Sequence, residues 1–220
     1  MAISNSDLET FSKQYPNFKI SQQNDNCTIS GPIKLDHIYR DVRMTGLFEL
    51  EINVSVDFPN TLPVVRELTE KIDRNYPHLY TNGQFCLASN LELKIYFLKN
   101  KNIATFVDDY ILPYLYTYCY YEKYGVYPYG ERSHGIMGDL EYLKELLNVD
   151  DWGQLFKIIT FISTSKYRGH IPCPCQSGGK LRNCHGEVIK EIINSGIVDD
   201  IKKILKDIEE EVKKENGKYN

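Results

Sequence analysis

The chain has 220 residues, 42% of them hydrophobic, which allows one sizeable core with a small appendage and is ordinary for a soluble globular protein. Its 26 lysines and arginines against 30 aspartates and glutamates leave a formal net charge of −4, which argues against any general attraction for nucleic acid or an anionic membrane. No apolar run reaches bilayer-spanning length, and Met1-Ala2-Ile3-Ser4-Asn5-Ser6 lacks the basic start and apolar stretch of a secretory signal, so a cytoplasmic protein is expected.

In chain order, Ser6 with Glu9 three positions later reads as a capping pair. Leu8 and Phe11 follow at helical spacing, predicting a helix that stops near Pro16. Cys27, Ile29 and Ile33 predict a strand over residues 27–35, interrupted at Gly31-Pro32, and residues 46–56 alternate strongly as a second strand. Residues 63–68 supply a third, short one. Ile103, Phe106, Val107, Tyr110 and Ile111 mark one face of a helix over 103–112. Eight tyrosines, Tyr114, Tyr116, Tyr118, Tyr120, Tyr121, Tyr124, Tyr127 and Tyr129, crowd the next stretch; packed aromatic bodies with hydroxyls reaching polar partners are preferred to a binding surface. Residues 125–135 form a loop, and residues 139–147 and 151–162 two helices, the second with Trp152, Leu155, Phe156, Ile159 and Phe161 or Ile162 inward. The polar run 163–169 predicts a domain boundary, giving units 1–165 and 166–220. Ile197, Ile201, Ile204, Leu205, Ile208 and Val212 recur at three and four as an amphipathic C-terminal helix that packs on its neighbours or binds a partner.

Chemistry concentrates in two places. In residues 74–87 the turn dipeptide Asn82-Gly83 hands the chain to Cys86, flanked by Phe85 and Leu87, an arrangement that holds a nucleophilic thiol within reach of another molecule. Upstream stand Phe58-Pro59-Asn60-Thr61-Leu62-Pro63 and Tyr76-Pro77-His78. In order and spacing, this string resembles the core of the ubiquitin-conjugating enzymes, which place a proline-marked strand end, a strand, a His-Pro-Asn tripeptide, an Asn-Gly or Asp-Gly turn and then the catalytic Cys-Leu. Tyr76-Pro77-His78 stands at the tripeptide position and keeps only its proline. The resemblance implies an α+β fold with an N-terminal helix, an antiparallel four-stranded meander and C-terminal helices. It also implies that Cys86 is the nucleophile, with backbone amides around it, Asn82 or His78 stabilising the oxyanion. In the loop after the tyrosines, Arg132 and His134 are candidates for orienting a donor C-terminus or assisting a proton transfer, and a Glu131–Arg132 surface pair is the other reading.

The second place is Cys173-Pro174-Cys175, followed by Ser177-Gly178-Gly179-Lys180 and then by Cys184-His185-Gly186. Three thiolates and an imidazole match the tetrahedral preference of zinc, and adjacent Cys-Pro-Cys geometry is poor for a disulfide. The pattern resembles the SEC-C motif, a zinc knuckle attached to many bacterial proteins, and implies one structural zinc on Cys173, Cys175, Cys184 and His185. Lys166, Arg168, Lys180 and Arg182 form a small basic patch nearby. Cys27 and Cys119 are expected in the core.

Together the two resemblances imply acyl transfer. A protein C-terminus, activated elsewhere, passes to Cys86 as a thioester and then to an amine. No phosphate-cradling glycine loop with lysine is present, so a separate activating enzyme or a preformed activated donor is needed. By resemblance the setting is a bacterial anti-phage operon of the cyclic-oligonucleotide signalling type, with a cGAS-like nucleotidyltransferase or a ubiquitin-like protein as donor, and without nucleic-acid or membrane partners. A non-catalytic adaptor that docks a chaperone, ribosome or protease is the alternative. A cysteine hydrolase ranks below both, since no Cys-His-Asn/Asp set lies in order.

Overall fold

Ser4 opens the first helix, two residues before the expected cap. The computed structural model of the chain describes residues 3–24, 26–131 and 133–216. Helix α1 spans Asn5–Gln14; Ser4 accepts from the Asp7 amide and its hydroxyl donates to the Asp7 carboxylate at 2.6 Å. Ser6 lies inside the first turn, where its carbonyl accepts from Thr10, so it is placed too late to cap. The helix buries Leu8 and Phe11.

Four strands follow as an antiparallel meander, β1 (Lys19–Gln23), β2 (Asn26–Tyr39), β3 (Val42–Val54) and β4 (Val64–Glu67), in the order β1-β2-β3-β4. The fold is therefore α+β with a four-stranded antiparallel sheet. Period-two alternation sends Cys27, Ile29, Ile33 and Leu35 of β2, and Phe48, Leu50, Ile52 and Val54 of β3, into the core. The expected break at Gly31-Pro32 does not occur, and β2 runs through it. The physical reason is register: β1 ends its pairing at Lys19↔Ser30, so Pro32 faces β3 alone and its missing N–H leaves no ladder partner unmet.

Helix α2 spans Asn90–Lys99, capped by Ser89, and α3 spans Ile103–Phe106. A π-turn over Val107–Ile111 then leads into α4, Leu112–Tyr124. The expected single helix over 103–112 is thus three segments in series. Pro113 at the start of α4 has no N–H for the carbonyl four residues back, and the Leu112 amide bonds to the Val107 carbonyl with the wider π spacing. The extra residue sets the phase of α4, which turns Tyr114, Tyr116 and Tyr118 inward. Helices α1, α3 and α4 join the buried face of the sheet in one core that includes Phe11, Phe97, Phe106, Ile111 and Leu115, each buried side chain contributing about 1.5–3 kcal/mol.

Two compact units are resolved, Met1–Glu131 and Arg132–Asn220. The second contains α5 (Gly135–Leu147), α6 (Trp152–Thr164), a short 3₁₀ turn (Leu181–Asn183), α7 (Gly186–Asn194) and α8 (Val198–Asn216). The boundary expected near residue 165 falls inside this unit, because α6 packs on α7 and α8 and α5 packs on α8. Leu155, Ile158, Ile159 and Ile162 form the buried stripe of α6. Trp152, expected inward, is exposed, with the Lys144 ammonium 4.4 Å from its ring centroid. Ile201 and Ile204 bury the α8 stripe, whereas Val212 is exposed. Among the described residues no helix is long and apolar enough to cross a membrane.

Tyr116 joins the sheet to α4: its side chain is fully buried and its hydroxyl donates to the Val42 carbonyl at 2.9 Å. Tyr116→Phe is expected to cost about 1 kcal/mol through the lost hydrogen bond and Tyr116→Ala about 3–5 kcal/mol through the cavity. Urea unfolding followed by tyrosine fluorescence and circular dichroism checks the order of the two variants.

Candidate functional site

Cys86 leaves a β-hairpin whose turn is built from Tyr80-Thr81-Asn82-Gly83-Gln84. The Gly83 amide donates to the Tyr80 carbonyl at 2.8 Å, and the Tyr80 amide to the Gln84 carbonyl at 2.9 Å. Gly83 has φ +78°, the left-handed position that closes such a three-residue loop and that a side chain would strain. The Asn82 side-chain oxygen accepts from the Gln84 amide at 3.0 Å, so this oxygen shapes the turn at its exposed tip.

The hairpin is tied on both sides. The Phe85 amide donates to the Val65 carbonyl of β4 at 2.9 Å, and Arg66 and Gln84 form a bridge, so the returning arm extends the sheet edge. On the helical side the Phe85 ring stacks on Tyr114 of α4 with centroids 4.3 Å apart. The Cys86 amide donates to the His78 carbonyl at 2.8 Å, and the Tyr114 hydroxyl donates to the same oxygen at 2.9 Å. Both lone pairs of one carbonyl therefore fix where Cys86 sits.

Beside the half-buried thiol stand two polar side chains of the first unit, Tyr80 and His78. The Tyr80 hydroxyl bonds to Cys86, and this bond, more than burial, pushes Tyr80 up to about 12. A ring nitrogen of His78 lies within 4.8 Å of Cys86 Sγ. His78 Nε2 faces Glu131 Oε1 at 3.8 Å, and its ring is held edge-on by Tyr76 and Tyr127, centroids 5.6 Å and 5.1 Å away. The Tyr76 and Tyr127 hydroxyls are buried with no hydrogen-bond partner among the described residues. Tyr80 and Glu131 were not expected in the site; only their proximity in the folded chain recruits them. Arg132 lies outside the described residues. His134 belongs to the second unit, at the N-cap position of α5, and its side chain does not cap that helix.

The other cysteines of the first unit sit differently. Cys27 is buried in β2 and Cys119 is half-buried in α4, and burial pushes both thiols up.

In the second unit a tight loop gathers Cys173, Cys175, Cys184 and His185. The Cys173 amide donates to the Gly179 carbonyl at 2.8 Å, the Gln176 amide to the Cys173 carbonyl at 3.0 Å, and the Leu181 amide to the Ile171 carbonyl at 2.8 Å. Cys173 Sγ and Cys184 Sγ lie 3.3 Å and 3.2 Å from His185 Nδ1, and Cys175 Sγ lies 3.6 Å from Cys184 Sγ. Ligands held about 2.1–2.3 Å from a tetrahedral ion stand about 3.4–3.8 Å apart, so these donors fit one metal ion. Ser177 Oγ accepts from the Cys175 thiol at 3.3 Å and lies 3.5 Å from Cys184 Sγ; its position inside the glycine-rich turn gave no such signal in sequence. Gly186, directly after His185, allows the close turn: a Cβ there would stand 2.5 Å from the Leu181 carbonyl oxygen and 2.9 Å from the Tyr167 hydroxyl.

The SEC-C motif family matches residues 171–187, the stretch that carries all four donors. No curated protein and no solved structure matches the chain.

Native mass spectrometry is expected to find one metal ion per chain, removed by chelator. Cys184→Ser should lose it and loosen the second unit while sparing the first, because a structural ion contributes folding energy only to the part it closes. Gly186→Ala should weaken metal retention although it removes no donor. Carefully prepared wild-type protein without metal would overturn the assignment.

Proposed function

We propose that the protein is a ubiquitin-conjugating-like acyl carrier: Cys86 accepts a protein C-terminus as a thioester and passes it to an amine. The observation that carries this reading is the placement of Cys86 directly after an Asn-Gly hairpin that extends the last strand of an antiparallel meander, with helices following. The element order is helix, four strands, cysteine hairpin, helices, which is the order that the sequence resemblance implied. Sulfur suits the task because it attacks readily and leaves readily, splitting one difficult acyl transfer into two easier steps. In this reading backbone amides near Cys86 and the Tyr80 hydroxyl supply the donors for the developing charge. Two of the three tripeptide positions differ from the family, and His78, whose ring approaches the sulfur, takes over the polar role there.

The Cys173, Cys175, Cys184 and His185 set is read as a structural zinc site. Thiolate and imidazole donors favour zinc, and a fourth protein ligand closes the position that a catalytic zinc would keep open for substrate. The donor is read as a protein with a recruitable C-terminus, a cGAS-like nucleotidyltransferase or a ubiquitin-like protein, loaded by a separate activating enzyme in a bacterial anti-phage operon. The adaptor reading gives the same chain a docking role with no covalent step.

Co-expression with the products of neighbouring genes is expected to yield an adduct on this chain that excess thiol cleaves, since a thioester is thiol-labile and an isopeptide bond is not. Cys86→Ala should abolish it, and Cys86→Ser should trap a more stable oxyester. A chain that forms no Cys86-dependent adduct with any such partner would favour the adaptor.

A further inference from the structure

The polar groups around Cys86 make up a set that the sequence order concealed. Cys86 Sγ and a ring nitrogen of His78 are within 4.8 Å, and His78 Nε2 lies 3.8 Å from the Glu131 carboxylate. Thiol, imidazole and carboxylate thus follow one another in space. Three features fix the middle member: the doubly bonded His78 carbonyl, the Tyr76 edge and the Tyr127 edge. A neutral imidazole carries one N–H and one lone pair, and a proton on Nε2 would face the carboxylate and leave the lone pair on Nδ1. Separations of this size between a thiol and its base are common before substrate binds and shorten in the reacting complex.

We propose that Cys86, His78 and Glu131 work as a proton-relay set, with Cys86 as nucleophile, His78 as its acid–base partner and Glu131 as the residue that positions the imidazole, and that this set hydrolyses activated carboxyl compounds, thioesters and esters, as well as transferring them. The proposal rests on Cys86 being the nucleophile of the acyl-carrier reading. It goes beyond that reading by assigning the proton transfers and by adding water as an acceptor.

The steps balance without any further reagent. As Cys86 Sγ bonds to the carbonyl carbon, its proton passes to His78, and the oxyanion collapses by expelling the donor's thiol or alcohol, which leaves with the His78 proton. Water then attacks the thioester carbonyl while its proton passes to His78. Collapse expels the Cys86 sulfur, which regains that proton, and a carboxylic acid departs. An amine acceptor follows the same course and leaves as an amide. Glu131 keeps its charge throughout and favours the imidazolium that forms in both halves. The Tyr80 hydroxyl, bonded to Cys86, is a donor to the sulfur each time it carries charge.

The test uses the full-length chain with p-nitrophenyl acetate, a small ester that needs no protein partner. Intact-mass measurement and peptide mapping follow the acetyl group onto and off Cys86, while p-nitrophenolate release gives the burst. Wild type is expected to show a burst of one equivalent followed by slow turnover, and Cys86→Ala none. His78→Ala should slow both acylation and deacylation by about 100-fold, the lower end of general acid–base contributions, and added imidazole should restore part of each rate. Imidazole rescue distinguishes a lost base from a damaged fold, and His78→Gln, which keeps a polar side chain of similar reach, serves if the alanine variant does not fold. Glu131→Gln should be slower than wild type but faster than His78→Ala, with Glu131→Asp nearer wild type. His78 and Glu131 variants that acetylate and release Cys86 at wild-type rates would overturn the relay while leaving the carrier reading intact, as would slow His78 variants that imidazole does not speed. A normal, His78-dependent ester burst in a chain that never forms a protein adduct would instead sustain the relay and remove the carrier reading.

Discussion

The main-chain carbonyl of His78 accepts from the Cys86 amide at 2.8 Å and from the Tyr114 hydroxyl at 2.9 Å, and the geometry of the cysteine site follows from that pair of bonds. The first pairs the two arms of the hairpin at the residue that carries the thiol. The second ties the hairpin to α4, whose rotation is set upstream by the π-turn over Val107–Ile111. A helix advances about 100° per residue, so α4 without that extra residue would carry Tyr114 off the hairpin altogether. Proline chemistry at Pro113 is thereby connected to the position of the Cys86 sulfur. Phe85, stacked on Tyr114 and bonded through its amide to Val65, makes the same link between sheet edge and helix.

What could be read in the sequence was what depends on local periodicity. The strands announced themselves through period-two alternation over 27–35 and 46–56, and the metal cluster through residue types whose spacing brings them together within one loop. Features that depend on partners distant in the chain were lost. Glu131 faces His78, a residue that no spacing rule connects to it, while Arg132, with which a surface pair was one reading, lies outside the described residues. Pro32 looked like an interruption because nothing in the sequence says where the neighbouring strand stops. Trp152 was placed inward on its size and apolarity, yet a lysine ammonium over the ring gives that aromatic face a partner at the surface. Helix α7 was not anticipated, since the knuckle ligands immediately before it drew attention from the Ile189 and Ile192 stripe that it buries.

The two units hold together by different means. Residues Met1–Glu131 rely on a continuous apolar core in which aromatic rings meet edge to face, Phe58 on Phe97 and Phe11 on Phe18 among them. Residues Arg132–Asn220 have apolar stripes on α6 and α8, but the loop that joins them is short of buried carbon and long in thiols. A bound ion would supply there what packing does not. Lys157 reinforces the loop from α6 with a 2.6 Å hydrogen bond to the Gln176 side-chain oxygen.

In the acyl-carrier reading the fold presents Cys86 for reaction and withholds the other thiols of the first unit. Burial raises Cys27 and Cys119 and so reduces their thiolate fraction, whereas Cys86 is half-buried beside a tyrosine hydroxyl and an imidazole. Brief alkylation of the native, metal-loaded chain with iodoacetamide, followed by peptide mapping, measures the order of reaction directly. Labelling of Cys86 first, with Cys27 and Cys119 protected until the chain unfolds, is the result predicted; labelling of Cys119 or Cys27 ahead of Cys86 would contradict the account.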